Sequence, residues 1–219
     1  MKIFLDTANL ESIKKGAQTG LIDGVTTNPT HLSKESGLPA EIVKQICTLL
    51  PDGEISVEIT EKAPSAVYEQ AKKIAALHEN IIVKIPCCAA YIPVINKLVA
   101  EDVALNITLV FSALQALMMA KLGVLYVSPF VGRLDDIDAD GMQLVGDIRE
   151  MLETYDYETE ILVASVRSVR QVHQAAMLGA HVATIKSEIF DLMLQHPLTD
   201  AGMQIFDTDW QKLGVKHFP

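Results

Sequence analysis

Asn80-Ile81-Ile82-Val83-Lys84-Ile85-Pro86 is an apolar run of mostly β-branched residues with one lysine near its end. Such a run reads as a buried strand. An ammonium group within it keeps its charge only beside a partner or where the strand opens onto a polar cavity; otherwise burial suppresses the charge. A suppressed lysine is a nucleophile that can attack a ketone and form a Schiff base. The competing reading is a side chain that snorkels to solvent at the strand end, and the neighbouring strands separate the two.

Toward the N-terminus the strand candidates are residues 54–60 (EISVEIT), 24–28 (GVTTN) and 2–6 (KIFLD). Toward the C-terminus they are residues 103–110 (VALNITLV), 124–130 (VLYVSPF), 160–165 (EILVAS) and 181–186 (HVATIK). Helical spacing fills the intervals at 8–20, 39–50, 64–78, 91–101, 112–123, 141–154 and 168–179, and two more helical patterns, 188–195 and 199–213, finish the chain. Ser112 and Gly123 supply a helix cap and a helix stop, and residues 131–140 are expected to form a long polar loop. Eight strands alternating with helices, with no linker between them, predict an α/β fold: a single (β/α)8 TIM barrel over residues 1–219, with 199–213 as an additional C-terminal helix. A doubly wound open sheet would call for a glycine-rich phosphate loop after the first strand, and Asp6-Thr7-Ala8-Asn9 is no such loop.

Composition narrows the partners. Hydrophobic residues at 49% and charged residues at 21% describe a globular chain. A net charge of −10 argues against nucleic acid or an anionic membrane as the main partner, so an anionic small substrate needs a local cluster of positive groups. No apolar run is long enough to span a bilayer, and no basic-then-apolar leader is present, which makes a cytoplasmic protein the expectation. Cys47, Cys87 and Cys88 do not make a disulfide framework, and His31, His78, His173, His181, His196 and His217 lack metal-ligand spacing, so no metal site is expected.

In a barrel the C-terminal strand ends meet at one mouth. The polar residues that end these runs are Asp6, Asn28, Glu58, Lys84, Asn106 with Thr108, Ser128, Ser165 and Lys186. Singly, each Asn or Ser reads as a turn former or cap. Together, a lysine with two carboxylates, two amides and several hydroxyls makes a carbonyl site that can form an imine and move protons around it.

Residue by residue this arrangement resembles the transaldolase family in its short form. LDTAN, GVTTNPT, SVEIT, VKIP, NITLVFS, VSPFVGRLDDI and ILVASVR carry the likeness and touch every predicted strand but the eighth. The resemblance implies a class I Schiff-base mechanism with no metal and no cofactor, acting on phosphorylated sugars. It implies Lys84 as the imine former and Asp6 as general base, with Glu58 and Thr108 holding a water that shuttles protons. Asn28 and Asn106 would bind hydroxyls of a retained three-carbon unit, Ser128 and Phe130 would line its pocket, and Arg133, Ser165 and Arg167 would hold the phosphate. For Arg133 the plainer reading is a surface pair with Asp135 or Asp136.

Two other functions fit the same barrel. Fructose-6-phosphate aldolases release free dihydroxyacetone, and relatives of that type carry glutamine at the position of Glu58 and tyrosine at that of Phe130. A silent sugar-phosphate-binding barrel would show a broken ring, whereas Lys84, Asp6 and Glu58 are all present. The likeness departs in two places. Cys87-Cys88 stands where the family usually runs through a threonine and a glycine, and is expected to be a partly buried pair of small residues. Lys186 stands where a proline is common, and reads as a charge at the mouth, a rival imine former or an extra phosphate contact. Helix 199–213 carries Phe206, Trp210 and Leu213 at helical spacing and needs a surface to cover them. The resemblance implies rings of five subunits, often stacked in pairs, that is, a homo-oligomer (pentamer or decamer) in which this helix reaches a neighbour.

Overall fold

A computed structural model describes residues 1–214; His217 lies outside the described residues. Eight parallel strands close into a barrel in chain order: β1 (Lys2–Asp6), β2 (Gly24–Thr26), β3 (Glu54–Glu58), β4 (Ile81–Pro86), β5 (Leu105–Val110), β6 (Tyr126–Pro129), β7 (Glu160–Val163) and β8 (Val182–Ile185), with β8 pairing back onto β1. The helices are α1 (Leu10–Gln18), α2 (Pro29–Leu32), α3 (Pro39–Leu49), α4 (Pro64–Ala75), α5 (Ile92–Ala100), α6 (Ala113–Lys121), α7 (Val131–Asp135), α8 (Gly141–Thr154), α9 (Val169–Met177), α10 (Ser187–Met193) and α11 (Pro197–Lys212).

The alternation of side chains along each strand divides the interior from the helical shell. Val25, Ile55, Val83, Ile107, Val127 and Ile185 point outward and join the large core beneath the helices. Burying each such side chain is worth about 2 kcal/mol. Phe4, Ile82, Tyr126, Leu162 and Val182 belong to a second, separate cluster that fills the barrel itself. Gly24 makes room for it, because a Cβ there would lie 2.7 Å from the Phe4 ring.

Below that apolar layer, at the N-terminal end, Lys2 Nζ donates to Glu54 Oε1 at 2.6 Å and to the Tyr126 hydroxyl at 3.0 Å, and the hydroxyl donates to Glu54 Oε2 at 2.5 Å. Burial, and then the Glu54 carboxylate, push the Tyr126 hydroxyl far above its usual pKa, so it stays protonated. The barrel is therefore stoppered at this end by packed rings and a satisfied polar knot. Above the apolar layer the inward positions turn polar, and there the site lies.

The helix signals act as the sequence suggests: Ser112 and Gln115 form a full capping box for α6, Asp140 caps α8, and Asn9 caps α1. Two short helices depart from the expectation. Residues 131–140 are not a plain loop, since Val131 and Gly132 are buried and α7 forms there. Residues 29–32 fold as α2, started by the Asn28 side chain accepting from the His31 N–H at 2.9 Å.

Candidate active site

Lys84 sits mid-barrel on β4, and its neighbours in register are Glu58 on β3 and Asn106 on β5. Its side chain is only 5% exposed, and Nζ lies 3.1 Å from Glu58 Oε2 and 3.3 Å from the Thr27 carbonyl oxygen. The side chain is thus turned inward beside a carboxylate and does not snorkel to solvent. A buried pair gains stability only when its remaining hydrogen-bonding capacity is met, and the Thr27 carbonyl takes part of it.

Opposite, Asp6 ends β1. Its Oδ1 accepts from Thr26 Oγ1 at 3.0 Å and lies 3.3 Å from His31 Nε2. Burial alone pushes the Asp6 carboxyl up; the hydrogen bond and charge of His31, together with Lys84 and Thr26, outweigh it and hold the carboxyl below its usual value. Thr26 also meets the Thr184 hydroxyl at 2.6 Å, which ties β2 to β8 across the interior.

Asn106 is fully buried, with its amide nitrogen donating to Ser56 Oγ at 3.1 Å and its oxygen accepting from Ser128 Oγ at 2.7 Å. Both ends of that amide are thus engaged within the protein. Thr108 is buried as well, yet its hydroxyl has no hydrogen-bond partner among the described residues. Directly after it, Leu109 takes φ +56° where the β5–β6 register shifts. A left-handed leucine is uncommon and carries strain, and Ser165 at φ +61° repeats the feature at the end of β7.

The cationic side is built by α7 and the loop after β7. Phe130 precedes α7; the Arg133 guanidinium lies 5.0 Å from the centre of its ring, and Phe111 meets the ring edge-on at 6.0 Å. Arg167 grips Asp136 with both terminal nitrogens. The surface pair considered for Arg133 is therefore made by Arg167, and Arg133 stacks on an aromatic ring. Gly132 lets the two segments close, since a Cβ there would strike the Ser165 carbonyl and come within 2.7 Å of Arg167 Nε.

These groups enclose a cavity of about 210 Å³ lined by Asp6, Asn28, Lys84, Ser128, Phe130, Arg133, Ser165 and Arg167. Glu58 joins from an adjoining opening that shares Asn28, Lys84, Phe130 and Arg133. Asn106 and Thr108 line neither space and stand behind it. Thr26 and Thr184 line the cavity and were not singled out in the sequence, although each lies two residues before a polar strand-end residue, Asn28 and Lys186, and so shares its face. His31 was likewise missed as a site residue. Lys186 lies exposed at the rim, and its side chain makes no hydrogen bond or ion pair among the described residues. Of the vicinal cysteines, Cys87 is half-buried, its thiol pushed up by burial and by Cys88, whereas Cys88 is exposed rather than partly buried; neither lines the cavity. Among the described residues no cluster of three or more His, Cys, Asp or Glu side chains is arranged to hold a metal ion.

A buried lysine paired with one carboxylate and facing a second, beside two arginines, is equipped for carbonyl chemistry on an anionic sugar. Comparison with known proteins bears on the fold and on the family. A solved structure described as thiamine phosphate pyrophosphorylase from Pyrococcus furiosus overlays with a TM-score of 0.59 at 16% identity, covering 85% of each chain, a likeness of fold alone. Probable transaldolases are far nearer in sequence: that of Thermoanaerobacter sp. (strain X514) is 47% identical, covering 99% of this chain and 100% of its own. That of Thermoplasma volcanium is 49% identical, covering 97% and 96%. Residues 3–217 match the family described as Transaldolase/Fructose-6-phosphate aldolase, and the chain belongs to that family.

Proposed function

We propose that this enzyme is a transaldolase, moving a dihydroxyacetone unit from a ketose phosphate to an aldose phosphate through a Schiff base on Lys84. The donor is sedoheptulose 7-phosphate or fructose 6-phosphate, and the acceptor glyceraldehyde 3-phosphate or erythrose 4-phosphate. The observation that carries the reading is the Lys84–Glu58 pair, buried beneath a cavity that Asp6 and the arginines share. Lys84 yields a proton toward Glu58 and attacks the ketone carbon; the carbinolamine loses water to give a protonated imine. Thr108 supports that exchange, because its buried hydroxyl has no protein partner and suits a proton-carrying water.

Asp6 then takes the proton from the hydroxyl on the leaving carbon. The carbon–carbon bond breaks, its electrons pass into the imine, and an aldose phosphate departs from the resulting enamine. A second aldehyde enters, the enamine attacks it, Asp6 returns the proton, and water releases the new ketose. Asn28 and Ser128 hold the retained unit over Phe130. Asn106 acts on it by fixing Ser128, since its own amide is engaged. Arg133 and Ser165 take the phosphate, with Arg167 held in reach by Asp136. Glu58 and Phe130, where the aldolase type has glutamine and tyrosine, favour transfer over release of free dihydroxyacetone.

The working enzyme is a cytoplasmic homo-oligomer, pentameric or decameric, in this reading. What supports assembly is α11: none of its residues is buried, with Phe206 75% and Ile205 59% exposed. No helix among the described residues is long and apolar enough to cross a membrane.

The test is borohydride reduction in the presence of fructose 6-phosphate, with and without erythrose 4-phosphate, followed by peptide mass spectrometry. An adduct at Lys84, with sedoheptulose 7-phosphate formed only when acceptor is supplied, is the expected result. Steady release of dihydroxyacetone without acceptor would convert the assignment to aldolase. An adduct at Lys186, or none, would defeat the mechanism.

A further inference from the structure

His31 stands at the cavity mouth and has no task in the reaction above. Its Nε2 lies 3.3 Å from Asp6 Oδ1, the same oxygen that accepts from Thr26, and the two side chains are 20% and 22% exposed. Both side chains are largely shielded from water, so their interaction is screened less than that of a fully exposed pair. Its placement is built in: Asn28 starts α2 by accepting from the His31 N–H, so a residue that lines the cavity also fixes the turn from which His31 reaches Asp6.

We propose that His31 is the positioning residue of the Asp6 carboxylate, donating from Nε2 to hold Oδ1 charged and aimed at the carbon–carbon bond that breaks. The proposal rests on the reading of Asp6 as the base. Other charges face the pair. Lys84 on β4 acts on Asp6, and Arg133, Arg167 and Lys186 share its cavity. Glu58 on β3, with Lys84 and Arg133, lines the opening in which His31 sits. Glu35, just past α2, is turned to the Asn9 amide at 3.4 Å. Against burial, which raises the Asp6 carboxyl, His31 supplies the leading opposing contribution, ahead of Lys84 and Thr26. Without His31, Asp6 takes up its proton at a higher pH, and the acid limb of the rate profile moves upward.

The test compares wild type with His31→Leu and His31→Gln. In His31→Leu, kcat for ketose cleavage is expected to fall roughly ten- to hundredfold with KM within about twofold, and the acid limb to rise by about one pH unit. Borohydride trapping of dihydroxyacetone at Lys84, which breaks no carbon–carbon bond, stays at the wild-type level. His31→Gln keeps an N–H donor and recovers most of the rate. An unmoved acid limb, or trapping that falls in parallel with kcat, overturns the proposal, since a merely structural histidine would behave that way. The titration of the Asp6 carboxyl, followed by 13C NMR, needs no turnover: it should move upward in His31→Leu, and an unchanged titration refutes the coupling. If wild type forms no adduct at Lys84 while that titration moves, the reaction proposed above fails and the His31–Asp6 coupling stands.

Discussion

Lys84 and Thr108 show how single side chains trade stability for chemistry. Lys84→Met should abolish the borohydride adduct and transfer, and leave Glu58 without its cation at a cost of about 3 kcal/mol, read by urea unfolding. Adding Glu58→Gln should return part of that stability and none of the activity. Thr108→Val should do the reverse of an ordinary core change. It removes a buried hydroxyl that has no protein partner, so stability should hold or rise by about 1 kcal/mol, while imine formation slows at least tenfold. Equal losses of stability and rate would show Thr108 to be structural. Asp6, Glu58 and Lys84 were legible in the sequence because each interrupts or ends an apolar run, where a charge is conspicuous. His31 was not: it lies in the one-turn helix α2, outside any apolar run, and only the folded chain brings it 25 residues back to Asp6.

The elements were readable to the extent that they are long enough to repeat. Four-residue α2 and five-residue α7 complete little more than one turn, too short for an apolar stripe, and they are the ones that escaped. The strands were placed, but the last residues of the predicted runs 24–28 and 181–186 were easier to read than their middles, which hid Thr26 and Thr184. The exchange of roles between Arg133 and Arg167 was also beyond reach, since it depends on how α7 lies against the end of β7. That contact is testable. Gly132→Ala forces a Cβ against the Ser165 carbonyl and Arg167, and should push α7 outward, costing about 2 kcal/mol by thermal unfolding and raising KM for phosphorylated donors several-fold. The same substrate without phosphate should show little change in KM, and an equal rise for both would remove α7 from phosphate recognition.

At the scale of the molecule, the closed barrel and its extra helix followed from counting strands against helices, whereas the partner of α11 cannot follow from one chain. Deleting residues 196–219 should leave the barrel folded, because α11 buries none of its own residues, and, if the proposed assembly forms through α11, should leave only monomers in light scattering where the full chain gives an oligomer; a truncated chain that matches the full chain in size would remove α11 from the interface. The knot of Lys2, Glu54 and Tyr126 beneath the packed side chains of Phe4 and Ile82 has a kinetic meaning. A tube corked at one end has a single doorway, through which the first aldehyde must leave before the second can arrive. The two substrates therefore take turns: double-reciprocal plots at several acceptor concentrations should run parallel, and each aldehyde should compete with the other for the vacated seat.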